Sequence, residues 1–145
     1  MASHLAGQAV HFPGESATRR PDGNAFSFVE QVWHLADLER EGFGVRIRRL
    51  LDEDDPVLPD FDGARIARER DYRSRTVAEG LAAFALARHE NLEALRALTD
   101  AQRSRGGTQD GVGRVTLDGI PARMLDHDRS HRSEIAALMG VLPHP

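Results

Sequence analysis

An all-α domain is the fold this sequence predicts, on three observations. β-Branched and aromatic residues never alternate over a useful length, so strand signals are scarce. Ala, Leu, Arg and Glu, all good helix formers, fill three long stretches. Two of those stretches open on Ser or Thr followed three residues later by Glu, the spacing at which side chain and backbone cap each other's free donors.

In chain order, residues 3 to 12 can form at most a short helix before Pro13, under three turns. Residues 13 to 25 carry Pro13, Gly14, Pro21 and Gly23 and read as a loop. Ser27 and Glu30 then start a helix that runs to about Leu51. Asp52 to Asp62, with Pro56 and Pro59, is a connector, followed by a short helical piece from Arg65 to Tyr72. Thr76 and Glu79 open the next helix, which Ala83, Phe84, Leu86, Ala87, Leu92, Leu95 and Leu98 carry to about Thr99. Gly106 to Gly113 is expected to be a flexible turn. The last helix begins after Thr116 and ends near Met139, with Gly140 available as a cap and Pro143 beyond it.

Composition narrows the function. At 145 residues the chain fits a single domain, 1–145, with enough core to need neither disulfide nor structural metal. It has no Cys, which removes thiolate nucleophiles, iron-sulfur clusters and cysteine zinc sites, and any transition metal must rest on His, Asp and Glu. All 19 basic side chains are Arg, so lysine Schiff-base chemistry and the P-loop are excluded. A formal charge of -4 gives no global field for nucleic acid, and none is expected as a partner. No apolar run approaches the roughly 20 residues that span a bilayer, and the first residues lack the features of a signal peptide. The expectation is a soluble, cytoplasmic protein without internal repeats.

Three histidines carry the chemistry. His127 and His131 stand four apart on the last helix, about 5 to 6 Å from each other, where two imidazoles can meet one ion. They fall on a seam with Leu117, Ile120, Met124 and Leu138 that should face the bundle interior, and Glu134 falls on the same line. Burying such groups costs several kcal/mol unless each finds a partner, which a metal would provide for both rings. The helix alone leaves two readings open, a wet polar face or a metal or catalytic pair. His34 is different: Val29, Val32, Ala36, Phe43, Ile47 and Leu50 cluster on one side of its helix, and His34 lies nearly opposite, beside Glu30, Asp37, Leu38, Glu41 and Val45. Periodicity favours a solvated acidic stripe there over a ligand oriented by carboxylates.

The segment Phe26-Ser27-Phe28-Val29-Glu30-Gln31-Val32-Trp33-His34-Leu35-Ala36-Asp37 resembles the aromatic-Ser, Glu, His-Leu-x-Asp signature of the DinB-like, YfiT-like superfamily of metalloenzymes. Val115-Thr116-Leu117 followed by Met124-Leu125-Asp126-His127-Asp128-Arg129-Ser130-His131 resembles that family's closing helix. The likeness covers about residues 26 to 140. It implies a four-helix bundle with His34, His127 and His131 around a divalent ion, zinc or nickel, and a position left open for water or substrate, as in catalytic sites.

Relative to the family the first helix is short or incomplete. Its place is either partly empty or filled by the long loop, by a partner subunit or by residues upstream, and His4 or His11 could approach the metal from it. An uncovered apolar face would favour a homodimer.

Relatives of this kind include transferases that use low-molecular-weight thiols such as bacillithiol, and a mycothiol-dependent maleylpyruvate isomerase. The resemblance therefore implies a thiol-dependent S-transferase, or a related transferase, isomerase or hydrolase, acting on a small molecule. Its ion would lower the pKa of a bound thiol or water. Without Cys in the chain, the thiol would be a cosubstrate. Glu134 or Asp37 would accept a proton or orient a ligand, or would pair with the abundant arginines. Two further readings stand beside this one: a non-catalytic bundle that binds metal or a small ligand in a stress response, and a plain helical dimer whose histidines are satisfied core residues.

Overall fold

The computed structural model describes residues 1–141, which places Pro143 outside the described residues. Helix α1 (Ala2–Ala9) is followed by a 3-10 turn at Gly14–Thr18 and a loop to Ala25. Helix α2 runs without a break through Phe28–Asp37, a wide π turn at Leu38–Phe43, and Gly44–Asp52. Strand β1 (Val57–Leu58) leads to α3 (Gly63–Glu69) and a 3-10 turn at Tyr72–Ser74. Then come α4 (Val77–Arg96), the one-turn helix α5 (Asp100–Arg103), strands β2 (Gly106–Gln109) and β3 (Gly113–Thr116), and α6 (Ile120–Val141).

Helix α2 is the centre of the bundle, packed along α4 and against α6, while α1 lies against α4. Every residue from Phe28 to Asp37 is buried, because the 3-10 turn at Gly14–Thr18, α3 and the Tyr72 turn close the sides that the long helices leave open. The first bundle position is thus filled by α1 and the loop after it. Leu5, Phe12 and Ala17 are buried there, and Phe12 stacks on Phe28 with ring centroids 4.4 Å apart, a contact worth about 0.5–1.5 kcal/mol beyond its burial. The apolar face expected to invite a second subunit is covered within the chain.

Burial of a whole helix turn obliges its polar side chains to find partners. Glu30 accepts from the backbone N–H and the hydroxyl of Ser27 (2.9 and 2.8 Å) and pairs with Arg20. Asp37, fully buried, accepts from Arg40 at 2.7 Å, from Arg70 at 2.6 Å and from the Tyr72 hydroxyl. Glu39 accepts from Arg88 at 2.7 Å and from Asn91 at 2.9 Å, and Arg88 also holds Asp128 of α6 through both carboxylate oxygens. These ion pairs tie α2 to α3, α4 and α6.

The π turn has a visible cause. The Glu39 carbonyl accepts from Gly44, five residues on, and also from the Asn91 side chain of α4 at 2.8 Å. A Cβ on Gly44 would lie 3.0 Å from that carbonyl and 3.1 Å from Asn91 Oδ1, so the wide turn, the glycine and the asparagine fit one another.

Gly106 to Gly113 is a β-hairpin rather than a flexible turn. Its strand β2 pairs antiparallel with β3 and parallel with β1, which lies in the expected connector. The glycines that suggested flexibility permit close approach: a Cβ on Gly107 would lie 2.3 Å from the Pro56 carbonyl. The hairpin covers the end of the bundle where Leu50, Leu58, Leu98, Val115, Leu117 and Ile120 form a second core cluster. Helix α4 ends at Arg96, short of Thr99, because Thr99 instead caps α5 by accepting from Gln102. Gly140 lies inside α6 and does not cap it. No helix among the described residues is long and apolar enough to cross a membrane.

Candidate metal centre

His34 projects from α2, and His127 and His131 from successive turns of α6, so one helix pair brings all three together. Ligand atoms from the three rings lie within 4.8 Å of one another. Ring centroids are separated by 4.5 Å (His127 and His131), 4.9 Å (His34 and His131) and 5.8 Å (His34 and His127). His34 and His131 are buried and His127 is partly so. Neither His4 nor His11 joins the cluster.

The position of His34 corrects the periodicity argument. On a regular helix Phe43, Ile47 and Leu50 lie about 160 to 220° around the axis from His34. The extra residue accommodated by the π turn reduces this to about 60 to 120°. Phe43 consequently approaches His127, with centroids 6.2 Å apart, on the side where His34 also points.

The rest of the His34 cage comes from the loops. Phe26 lies 5.5 Å and Phe61 5.8 Å from the ring, and Gly63 at the start of α3 sits against its edge. A Cβ on Gly63 would fall 2.4 Å from His34 Cε1.

His131 is held by a relay. Gln31 donates through Nε2 to Glu134 Oε2 at 2.7 Å, which turns its carbonyl oxygen toward His131. His131 Nδ1 donates to that oxygen at 2.5 Å, so its proton sits on Nδ1 and Nε2 is left with a free lone pair. Glu134 is not buried in the seam as its spacing suggested. It is about half exposed at the rim, also near the Ser130 hydroxyl at 3.4 Å, and Ile135 takes the buried place in the seam. Asp37 stands away from the cluster, fully engaged by Arg40, Arg70 and Tyr72.

The donor set suits a divalent ion. Burial, reinforced by the charges the neighbouring rings would carry, lowers the His34 pKa to about 3, and burial with His131 lowers that of His127 to about 4. Burial also lowers the pKa of His131. All three rings are therefore neutral at neutral pH, the form that binds metals. The buried carboxylates of α2 and Gln31 are satisfied, yet His34 Nδ1 and His127 Nδ1 have no hydrogen-bond partner among the described residues. Three imidazoles with no fourth protein ligand in the cluster leave coordination open, as in catalytic sites.

Two depressions lie beside the cluster, and only the second is lined by one of its histidines. A mainly apolar groove of 470 Å³ runs past Pro21, Ala25, Phe26, Gln31, Glu134 and Leu138. A cleft of 410 Å³ opens at His127, with Arg46, Arg123, Gln109, Asp126 and Ser130 around it. Sequence reasoning missed Gln31, Phe61, Gly63 and Arg46 as neighbours of the site. Gln31 alone had a signal, three residues before His34 in the same motif.

The family model described as the DinB superfamily matches residues 4–135. Among solved structures the chain is similar to YfiT from Bacillus subtilis, a probable metal-dependent hydrolase with an unusual four-helix bundle topology. The two share 22% identity with a TM-score of 0.81, over 94% of this chain and 79% of that one. No curated protein matches the chain. The structural likeness bears out the four-helix bundle that the sequence motifs implied.

Proposed function

The chain belongs to the DinB superfamily, and from that premise we propose that it is a metal-dependent enzyme whose ion is held by His34, His127 and His131. The observation that carries this is the pairing of buried neutral imidazoles with buried nitrogens that nothing else satisfies. The metal-dependent character given for YfiT supports it. Zinc and nickel both suit three imidazoles with an open position.

In the finer reading, the nucleophile is a low-molecular-weight thiol and the reaction is its transfer to a small electrophile, with hydrolysis as the variant in which water takes the thiol's place. The ion would supply Lewis acidity, making the thiol or water nucleophilic at neutral pH. With no Cys in the chain, the sulfur has to be brought in, and the apolar groove beside Gln31 and Phe26 has room for such a cosubstrate.

The residues around the cluster have separable tasks. Gln31 fixes the His131 tautomer and ring orientation. Phe26 and Phe61 exclude water from one side of His34. Glu134, exposed at the groove and bonded to Gln31, is the acceptor the chain offers for a proton released by the nucleophile. Asp37 acts as an anchor for α2 and not on substrate.

Metal analysis of protein purified without a histidine tag tests the centre. About one zinc or nickel per chain is expected, lost in the His127→Ala, His131→Ala double variant. Protein that takes up neither ion overturns the proposal. Conjugation of several small thiols to electrophiles, with and without metal and against ester hydrolysis, then decides the reaction. Metal uptake with no turnover in any arm would favour the non-catalytic binder.

A further inference from the structure

We propose that the cleft at His127 is an oxyanion subsite, in which Arg46 and Arg123 bind a carboxylate of the substrate beside the metal centre. This rests on the reading of the site as an enzyme's metal centre and adds to it the chemical class of what is bound there.

Arg46 is 7% exposed, yet no carboxylate lies within salt-bridge distance of it among the described residues. Its guanidinium stands 5.8 Å from the Phe43 ring and reaches only the Pro59 carbonyl, through Nε and Nη2 at 3.4 and 3.3 Å. The remaining nitrogen, Nη1, makes no hydrogen bond among the described residues.

Every other buried charged side chain described above has a counter-charge, because an unpaired buried ion costs several kcal/mol. Here a second cation, Arg123, lines the same cleft, and it too has no ion-pair partner among the described residues. Burial pushes the Arg46 pKa below its ordinary value, Asp60 opposes this from beyond salt-bridge distance, and the charge of Arg123 adds a smaller downward push. The carboxylate on the wall, Asp126, is already paired with Arg129 at 3.4 Å.

Two guanidiniums facing one cleft, with the Gln109 amide and the Ser130 hydroxyl as further donors, are left short of an anion. A planar carboxylate meets the guanidinium fork with two parallel hydrogen bonds. The cleft also contains His127, so an acid bound there would hold the rest of its carbon skeleton next to the nucleophile.

Calorimetric titration of the full chain with malonate at pH 7.5 tests the subsite, with the neutral malonamide and inorganic phosphate as parallel probes. Chelated, metal-free protein is used so that the probe cannot bind through the ion. The expected result is malonate binding that weakens with salt and exceeds malonamide at least tenfold. Arg46→Gln or Arg123→Gln should lower the affinity at least tenfold, with Arg46→Lys recovering part of the loss. Arg123 is less buried than Arg46 and keeps the test informative where Arg46→Gln unfolds the chain.

Malonate binding no tighter than malonamide, or equal in Arg123→Gln and the parent, overturns the proposal, as does a preference for phosphate over malonate. Metal uptake by the same preparations is scored separately. A chain that binds malonate but no zinc or nickel retains the subsite and loses the metal reading, whereas one that loads metal but ignores malonate does the reverse.

Discussion

Replacing Gly63 by Ala should cost the protein its metal before it costs the fold. A Cβ at this position would lie 2.4 Å from His34 Cε1 and 2.6 Å from His34 Nδ1. Non-bonded carbon atoms settle at about 3.5 Å or more, so ring and backbone must part by about 1 Å. The backbone is the harder of the two to move. Asp62 caps α3 by accepting from the Arg65 N–H at 3.0 Å, and Ile66 and Ala67 are buried one turn further on. The His34 ring should therefore be displaced. Metal-ligand distances are tolerant to about 0.2 Å, so a shift several times larger should lower affinity for zinc by tenfold or more, read by competition with a chromophoric chelator. Overpacking should lower the stability of the metal-free chain by about 1–3 kcal/mol, within reach of a urea titration. Ala64→Ser, at the exposed neighbour, serves as the control and should change neither. Parental zinc affinity in the folded Gly63→Ala protein would refute the argument, since it would mean that α3 gives way and the ring does not.

Gln31→Leu removes the acceptor that fixes the His131 tautomer while keeping the volume of a buried side chain, so metal affinity should fall roughly ten- to hundredfold, and Gln31→Glu should restore much of it. Asp37→Asn should behave oppositely: the variant removes the carboxylate shared by Arg70, Arg40 and Tyr72, leaves Glu41 as the arginines' remaining counter-charge, and should cost about 1.5–3 kcal/mol of stability in denaturant titrations, with metal stoichiometry unchanged. Loss of turnover in a fully folded, metal-loaded Asp37→Asn protein would show that Asp37 acts in the reaction. The metal-free chain should weaken as pH falls below 6.5, because the unfolded state then takes up protons that the buried His34 and His127 refuse until about pH 3 and 4. Each ring contributes about 1.4 kcal/mol per pH unit, or about 2 kcal/mol each between pH 6.5 and 5. Stability that is flat across this range in urea titrations with chelator present would contradict the burial of the rings.

What the sequence disclosed and what it hid divide along a physical line. Local signals were legible. Ser27 with Glu30 and Thr76 with Glu79 marked two helix starts where they occur, and the spacing of His127 and His131 along an apolar seam placed both rings in the bundle. Contacts between distant segments were not. The parallel pairing of Val57 with Thr108, the approach of Gly63 to His34 and the exposure of Glu134 all depend on how the loops close over the helices.

His34 joins the two cases. Periodicity placed it opposite the apolar stripe, and for Val29, Val32 and Ala36 that holds; but Phe28–Asp37 is buried on every side, and beyond residues 38 to 43, where the helix is not regular, the stripe itself turns toward His34. The single extra residue there is held by Asn91, 52 positions away, and rotates everything beyond it by about 100°. The same slip brings Phe43 against His127 and leaves Arg46, one turn on, in the cleft beside it. The π turn therefore sets the composition of the site from outside it. Asn91 and Gly44 belong to the machinery of the metal centre although neither is in its cluster of ligands.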